Sequence, residues 1–165
     1  MNLILPVIIA QHMPDSFINS FAKRLDDLTE LKVKVAQSGE EIRAGHIYLG
    51  PDHANMRLRK NPHTDGVIVH FIDKLFPEFN HPSIDCLLES AAEVYGGKMI
   101  GCILTGMGRD EIEGLSKVKA KARMTIAQGE DTLVVYGMPK SAFDSGTTNR
   151  LLPLDQMGGY LVSCL

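Results

Sequence analysis

The sequence lacks any excess of basic residues. Its 165 residues include 17 lysines and arginines against 20 aspartates and glutamates, so its formal net charge is −3. Proteins that bind nucleic acids usually present a strongly basic surface, and so do proteins that bind anionic membranes. We therefore expect no nucleic acid partner for this chain.

Cysteine is scarce, and a long hydrophobic run is missing. Cys86, Cys102 and Cys164 lie far apart in apolar surroundings, which is typical of buried thiols rather than of disulfides or a zinc site. This use of cysteine favours a reducing compartment. The apolar run at residues 3–10 is too short to span a bilayer and is broken by Pro6. We expect a cytoplasmic protein with no membrane insertion.

The chain reads as one domain over residues 1–165. Hydrophobic residues make up 44% of the sequence, and we find neither internal repeats nor a linker-like stretch. Continuous apolar runs at residues 7–10, 99–104 and 124–127 are typical of strands buried on both faces of a parallel sheet. The pattern predicts an α/β fold with a doubly wound, mostly parallel sheet.

Helical patterns separate these apolar runs. The first follows Pro14, would be capped by Asp15 or Ser16, and carries one apolar stripe at spacings of four, four and three residues: Phe17, Phe21, Leu25 and Leu28. A second helix is predicted from Pro82 to the glycine pair at 96–97. A third is predicted over residues 110–120, although Gly114 weakens that pattern.

Short, partly alternating segments lie between the first two helices, at residues 32–36, 47–49, 56–60 and 67–71. Alternation of this kind is typical of half-buried strands. We therefore predict a β-rich insertion in the α/β domain.

Two loops carry candidate functional residues because each follows a predicted buried strand, where the sites of open parallel sheets collect. His12, in the first loop, could project into a crevice and act as a base near neutral pH. Asp110, in the second, lies at a predicted helix start and could orient His12. The alternatives are an ordinary hydrogen-bonded histidine and an ordinary helix N-cap.

Other ligand patterns are weak. The glycines at 106 and 108 are not followed by the third glycine and the acidic residue of a dinucleotide site, so we expect no cofactor. His46, His53, His63 and His70 lack partners at tight ligand spacing, so we expect no metal. His81 and Asp85 are four residues apart, and we expect them to brace a helix terminus.

Five segments occur in the order and rough spacing of one known domain: QHMP at 11–14, HPSID at 81–85, ILTGMGRD at 103–110, IAQ at 126–128 and YGMP at 136–139. From about Val7 onward the chain resembles the C-terminal catalytic domain of the chemotaxis protein-glutamate methylesterases, the CheB family. The resemblance implies a doubly wound α/β hydrolase. Its substrates would be glutamate methyl esters, and in many members also glutamines, on methyl-accepting chemoreceptors.

The resemblance also implies a catalytic site. By position, His12 resembles the general base of a Ser-His-Asp triad, and Asp110 resembles the carboxylate that orients it. The backbone N–H of Met107 resembles one donor of the oxyanion hole.

The chain departs from the family pattern where the nucleophile should be. The family serine lies upstream of the QHMP histidine, in a G-A-S-T-G-G turn after the first strand, but residues 1–11 contain no serine. None of the other serines lies in a comparable elbow. We therefore expect an N-terminally truncated domain that lacks its first strand and the nucleophilic serine, with no receiver domain.

Smaller departures surround the same motifs. Glu111 and Asp52 replace usual glycines, Asn55 replaces a usual histidine, and residues 80–81 replace a basic pair. Three interpretations follow: a methylesterase domain acting on chemoreceptors, a catalytically inactive receptor-binding module, or a fragment of an active enzyme. In each case we predict little methylesterase activity from the 165 residues alone.

Overall fold

A computed structural model describes residues 5–73, 81–121 and 124–164. A parallel sheet forms the first part of the fold, from β1 (Val7–Ile9), β2 (Lys32–Val35) and β3 (His46–Leu49), in the order β1-β3-β2. Helix α1 (Asp15–Leu28) connects β1 to β2. Its buried residues Ile18 and Ala22 pack with Val33 and Leu49, so apolar burial fixes the helix on this sheet.

An antiparallel pair follows, formed by β4 (Asn55–Lys60) and β5 (Val67–Ile72). Helix α2 (Ile84–Tyr95) packs beside it, and Met56, Leu58, Val69, Leu87 and Ala91 are buried in one cluster. The four short segments of the predicted β-rich region are therefore all strands. The first two, β2 and β3, belong to the same parallel sheet as β1. Residues 36–45 connect β2 to β3, so that the two strands run parallel.

A second parallel sheet, in the order β6-β7-β8, consists of β6 (Ile100–Ile103), β7 (Met124–Gln128) and β8 (Arg150–Leu152). Helices α3 (Ile112–Lys121), α4 (Met138–Asp144) and α5 (Leu154–Ser163) accompany it. Leu88 of α2 is buried with Ile103, Leu115, Val118 and Ala127, so α2 contributes to both cores. The chain has the predicted α/β fold with mostly parallel sheets.

Helix α1 differs from its prediction in two details. Pro14 occupies the N-cap position and no side chain caps the helix, so the predicted cap by Asp15 or Ser16 is wrong. The predicted apolar stripe is also shifted: Phe17 and Leu28 are 62% and 73% exposed, whereas Ile18 is 1% exposed. The buried face includes Ala22. Because alanine is small, the spacing of the large apolar residues does not indicate that this position is buried.

Helix length also bears on membrane insertion. Within the ranges 5–73, 81–121 and 124–164, none of the helices combines the length and the apolar content needed to cross a bilayer.

Candidate active site

His12 and Asp110 meet at the ends of two strands from different sheets. His12 lies in the loop between β1 and α1, and Asp110 lies in the loop between β6 and α3. The Nε2 atom of His12 is 3.1 Å from Oδ2 of Asp110. The imidazole side chain is 28% exposed and the carboxylate is 2% exposed. The structure thus places a partly exposed imidazole against a buried carboxylate, and the catalytic roles that the family resemblance implies for them stay predictions.

The carboxylate of Asp110 is held by the first turn of α2. Its Oδ1 accepts the hydroxyl of Ser83 at 2.8 Å and the backbone N–H of Asp85 at 3.3 Å, while Oδ2 accepts the backbone N–H of Ile84 at 2.7 Å. A helix N-terminus favours a negative charge, and each of these bonds fixes the carboxylate. Asp110 therefore accepts hydrogen bonds from the first turn of α2 and not from that of α3, although α3 begins only two residues after it.

Ser83 and Asn55 support this arrangement, although from sequence Asn55 was only a departure from the family pattern and Ser83 only a part of the HPSID motif. The Ser83 hydroxyl accepts the backbone N–H of Cys86 at 3.2 Å, which makes Ser83 the N-cap of α2. The backbone N–H of Ser83 donates to Oδ1 of Asn55 at 2.6 Å, and both residues are fully buried. The HPSID motif was the available signal for Ser83, since serine is a preferred N-cap residue at the start of a helix.

Ser83 is unsuited to be the nucleophile. Its hydroxyl is 0% exposed and is already committed to Asp110 and Cys86. In the part of the chain that the structure describes, His12 has its side-chain hydrogen bond with Asp110 and none with a hydroxyl. With Nε2 turned to the carboxylate, Nδ1 is the ring nitrogen left to accept a proton from a reacting group.

Met107 lies in the same loop as Asp110, beside the segment that contains the YGMP motif. The backbone N–H of Met138 donates to the carbonyl of Gly106 at 2.9 Å. A Cβ atom on Gly137 would lie 2.6 Å from the oxygen of Gly106, so only glycine permits this approach. Gly108 has φ +110°, a left-handed conformation that favours glycine. These motifs therefore shape one loop pair, and the role of the Met107 N–H as an oxyanion donor stays a prediction.

Apolar side chains are exposed on this loop pair. The Thr105 hydroxyl donates to the carbonyl of Val135 at 3.1 Å and accepts the N–H of Val135 at 3.1 Å, which holds the two loops side by side. The exposed fractions are 48% for Leu104, 79% for Met107, 91% for Val134 and 37% for Val135. We call these four residues the apolar rim.

The structure describes two of the other family departures, Asp52 and Glu111. Asp52 and Asp15 exchange hydrogen bonds: the Asp15 N–H donates to Asp52 at 2.9 Å, and the Asp52 N–H donates to Asp15 at 3.1 Å. Asp52 thereby ties the loop after β3 to the start of α1, three residues beyond His12. Glu111, predicted to add a charge beside the site, is fully buried next to Asp110. Asn80 lies outside the described residues.

One group in the described ranges could hold a metal ion: Asp15, Asp52 and His53 have ligand atoms within 4.8 Å of one another. His53 Nδ1 lies 2.8 Å from Oδ2 of Asp15, and this hydrogen bond lowers the pKa of Asp15 below its usual value. The hydrogen bonds among the three residues account for their closeness. That the chain takes neither a metal nor a cofactor stays a prediction.

Comparison with known proteins agrees with the motifs. The family model described as CheB methylesterase matches residues 1–161. The chain is 40% identical over 153 residues to a protein-glutamate methylesterase/protein-glutamine glutaminase of Thermotoga maritima, covering 92% of this chain and 44% of that protein. A second relative of the same name, from Burkholderia thailandensis, is 40% identical over 161 residues, covering 97% of this chain and 45% of that protein. The chain thus spans less than half the length of these curated relatives.

A solved structure shows the same fold. The crystal structure of the Thermotoga maritima CheB methylesterase catalytic domain matches with a TM-score of 0.94 and 36% sequence identity, covering 99% of this chain and 86% of the solved chain. The family model, the relatives and the solved domain all agree over almost the entire sequence. The chain therefore belongs to the CheB methylesterase family.

Proposed function

We propose that this chain provides the base and the carboxylate of a protein-glutamate methylesterase domain. The substrates are glutamate methyl esters on chemoreceptors, and the reaction serves adaptation in chemotaxis. The single observation that supports this most strongly is the contact of 3.1 Å between His12 and a buried Asp110 that three further hydrogen bonds hold in place. Such a pair can hold an imidazole in one orientation and stabilise its charged form.

The chemistry is acyl transfer to a serine. His12 accepts the proton of the serine hydroxyl as its oxygen attacks the ester carbonyl, and it then gives that proton to the departing methanol. Water hydrolyses the glutamyl-serine ester in a second step, again with His12 as base. Asp110 keeps the imidazole in place and stabilises its positive charge, and the Met107 N–H donates to the oxyanion.

The same machinery accommodates a glutamine side chain. In that case the leaving group is ammonia, which also needs a proton from His12 to depart, and the product is again a glutamate carboxylate. The names of the relatives combine methylesterase with glutaminase. We therefore include deamidation of receptor glutamines in the proposal.

In this proposal the serine belongs to a polypeptide segment other than residues 1–165. Residues 1–11 contain none, and Ser83 is buried and committed to Asp110. Without a nucleophile the base has nothing to activate, and loss of the serine from a triad costs about six orders of magnitude in turnover. The 165 residues by themselves should show methylesterase activity near background.

A polypeptide substrate suits the surroundings of the site. The apolar rim exposes four side chains on the loops that carry Met107 and lead to Asp110. Exposed apolar residues grouped around a site are typical of surfaces that contact another protein. We propose a chemoreceptor as the partner. The chain would bind the methylated region of that receptor in the cytoplasm.

The test is methanol release from a methylated chemoreceptor. Three proteins are compared: the 165-residue chain, the same chain preceded by a strand, a G-A-S-T-G-G turn and a helix, and that extended chain with its added serine changed to alanine. We expect release only from the extended chain with serine. Substantial release by the 165 residues alone would contradict the proposal and would require a nucleophile within them.

A further inference from the structure

A second concave surface lies along β4, apart from the catalytic pair. It is an open depression of about 460 Å³ lined by residues of β4, β5 and the C-terminal half of α2. We call it the basic groove, and six of its lining residues carry the argument: Arg57, Arg59, Lys60, Ile72, Glu93 and Val94.

The charge of the basic groove opposes that of the whole protein. Its lining contains three cationic side chains, from Arg57, Arg59 and Lys60, and one acidic side chain, from Glu93. The complete chain has a formal charge of −3. A local excess of positive charge on an acidic protein attracts anionic partners to that one place.

The cations of the groove are available for a partner. Arg59 and Lys60 are exposed, and no carboxylate pairs with either within the described ranges. Arg57 lies 3.3 Å from Glu93, but these side chains are 35% and 54% exposed. An ion pair in that much water contributes little, so an incoming carboxylate can compete for Arg57.

The arrangement along the strand fits a polypeptide. Arg57 and Arg59 are two residues apart in β4, so both lie on one face at a separation of roughly 7 Å. An extended peptide repeats its side chains at the same interval, and an arginine can bind a carboxylate through two parallel hydrogen bonds. Apolar Ile72 and Val94 in the lining can contact the aliphatic parts of such a segment.

Nucleic acid is a poorer match for the groove. Its lining contains no Phe, Tyr or Trp on which a base could stack, and Glu93 would repel a phosphate backbone. We propose that the basic groove binds a carboxylate-rich polypeptide segment of a partner protein. This goes beyond the proposed function and does not depend on it.

The groove connects to the catalytic pair through β4. Asn55, the first residue of β4, accepts the N–H of Ser83 and is paired in register with Ile72 of the groove. Ser83 in turn donates to Asp110. A segment bound along β4 therefore contacts the strand that also supports Ser83, which makes the groove an accessory docking site separate from His12 and Asp110.

The experiment measures fluorescence anisotropy of a labelled peptide of alternating glutamate and alanine, titrated with the 165-residue chain at low salt. A peptide of alternating glutamine and alanine is the neutral control. We expect saturable binding of the glutamate peptide, no binding of the glutamine peptide, and roughly tenfold weaker binding by Arg59→Glu. Arg59→Gln, which removes the charge but keeps a polar side chain, should have a smaller effect in the same direction.

The matched control is Arg24→Glu. Arg24 is an exposed arginine of α1, so this variant makes the same change in net charge away from the groove. Equal weakening by both charge reversals would overturn the proposal, since only net charge would then matter. Absence of binding by the glutamate peptide would also overturn it. The same holds if an oligothymidylate binds more tightly than the peptide and Arg59→Glu abolishes that binding. None of these results bears on methanol release, which tests the catalytic proposal separately.

Discussion

The carboxylate of Asp85 accepts the backbone N–H of Gly114 at 2.6 Å, and this bond joins helices α2 and α3 beside Asp110, which accepts the N–H of Asp85. Gly114 is the third residue of α3, and its presence weakened the sequence-based prediction of this helix. A Cβ atom there would lie 2.7 Å from Cβ of Leu88 and 3.0 Å from Cα of Asp85. The glycine is therefore what permits the two helices to touch.

Gly114→Ala should destabilise the protein. The added methyl group must displace the backbone of α2, and overpacking of this kind costs about 1–3 kcal/mol. Replacing glycine by alanine gains about 1 kcal/mol at most in helix propensity, so the cost outweighs the gain. Urea denaturation measures the change. Gly158→Ala in α5 is the matched control: no atom lies within 4 Å of its added Cβ, so that variant should be more stable than the parent chain. Stabilisation by both substitutions would contradict this account of the helix contact.

Asp85 should make stability depend on pH. Burial, followed by repulsion from Asp110 and Glu113, raises the pKa of Asp85 from 3.8 to about 6. Because the pKa is higher in the folded chain than in the unfolded chain, protonation favours folding. This contribution is fully present below about pH 4 and is lost as the pH rises through about 6.

The loss amounts to roughly 3 kcal/mol at most, from 1.36 kcal/mol for each pKa unit. Asp85→Asn keeps an oxygen to accept the Gly114 N–H but cannot ionise. We therefore expect the free energy of unfolding to fall between pH 4 and pH 7 by clearly more in the parent chain than in the variant, as measured by urea denaturation at each pH. Identical pH profiles would show that Asp85 is not the group responsible.

Ser83→Ala should lower stability by about 1–2 kcal/mol, because it removes both the N-cap of α2 and a hydrogen bond to a buried carboxylate. Ser20→Ala provides the comparison. Ser20 is exposed and bonds only to a carbonyl one turn earlier, so we expect a change within about 0.5 kcal/mol. Thermal melting of the two variants side by side distinguishes a supporting residue of the site from a surface serine.

Much of the fold could be predicted from local pattern. Helix α2 was predictable because Pro82 and the glycine pair at 96–97 bound an apolar face, and each of these signals acts within a few residues. The parallel pairing of β3 with both β1 and β2 was not predictable in the same way. Short alternating segments look alike in a hairpin and in a parallel sheet, and only the crossover between them decides which strands become neighbours.

The candidate site was also predictable only in part. His12 and Asp110 are 98 residues apart, so no spacing rule could join them. Their positions after two predicted buried strands made a contact one possibility, and the family resemblance implied it. Asp110 serves the start of α2 instead of the helix that follows it in sequence, because tertiary packing brings the first turn of α2 against it. Asn55 could not be connected with Ser83 from sequence, since a backbone N–H is its partner.

The apolar rim should affect substrate binding more than chemistry. Val134 is 91% exposed in the free protein, and covering a valine side chain with a bound polypeptide is worth about 1.5 kcal/mol, or roughly tenfold in affinity. In the extended chain with serine, Val134→Asn should raise the KM for a methylated receptor about tenfold and leave kcat unchanged. Leu28→Asn, at an exposed leucine on α1, should leave both parameters unchanged.

A small aryl ester separates the two effects. Such a substrate does not reach across the rim, so Val134→Asn should hydrolyse it as fast as the parent protein does. A loss of kcat on both substrates would mean that Val134 supports the reacting groups themselves, contrary to the role proposed here.

The most direct test of the central claim is the turnover number for methanol release by the extended chain with serine, measured for His12→Ala, Asp110→Asn and His63→Ala. We predict a loss of roughly six orders of magnitude for His12→Ala and roughly four for Asp110→Asn, as in triads where the base or its orienting carboxylate is removed. His63 is exposed and outside the site, so His63→Ala should retain full turnover. Turnover that survives His12→Ala unchanged would contradict the assignment of His12 as the base and with it the proposed mechanism.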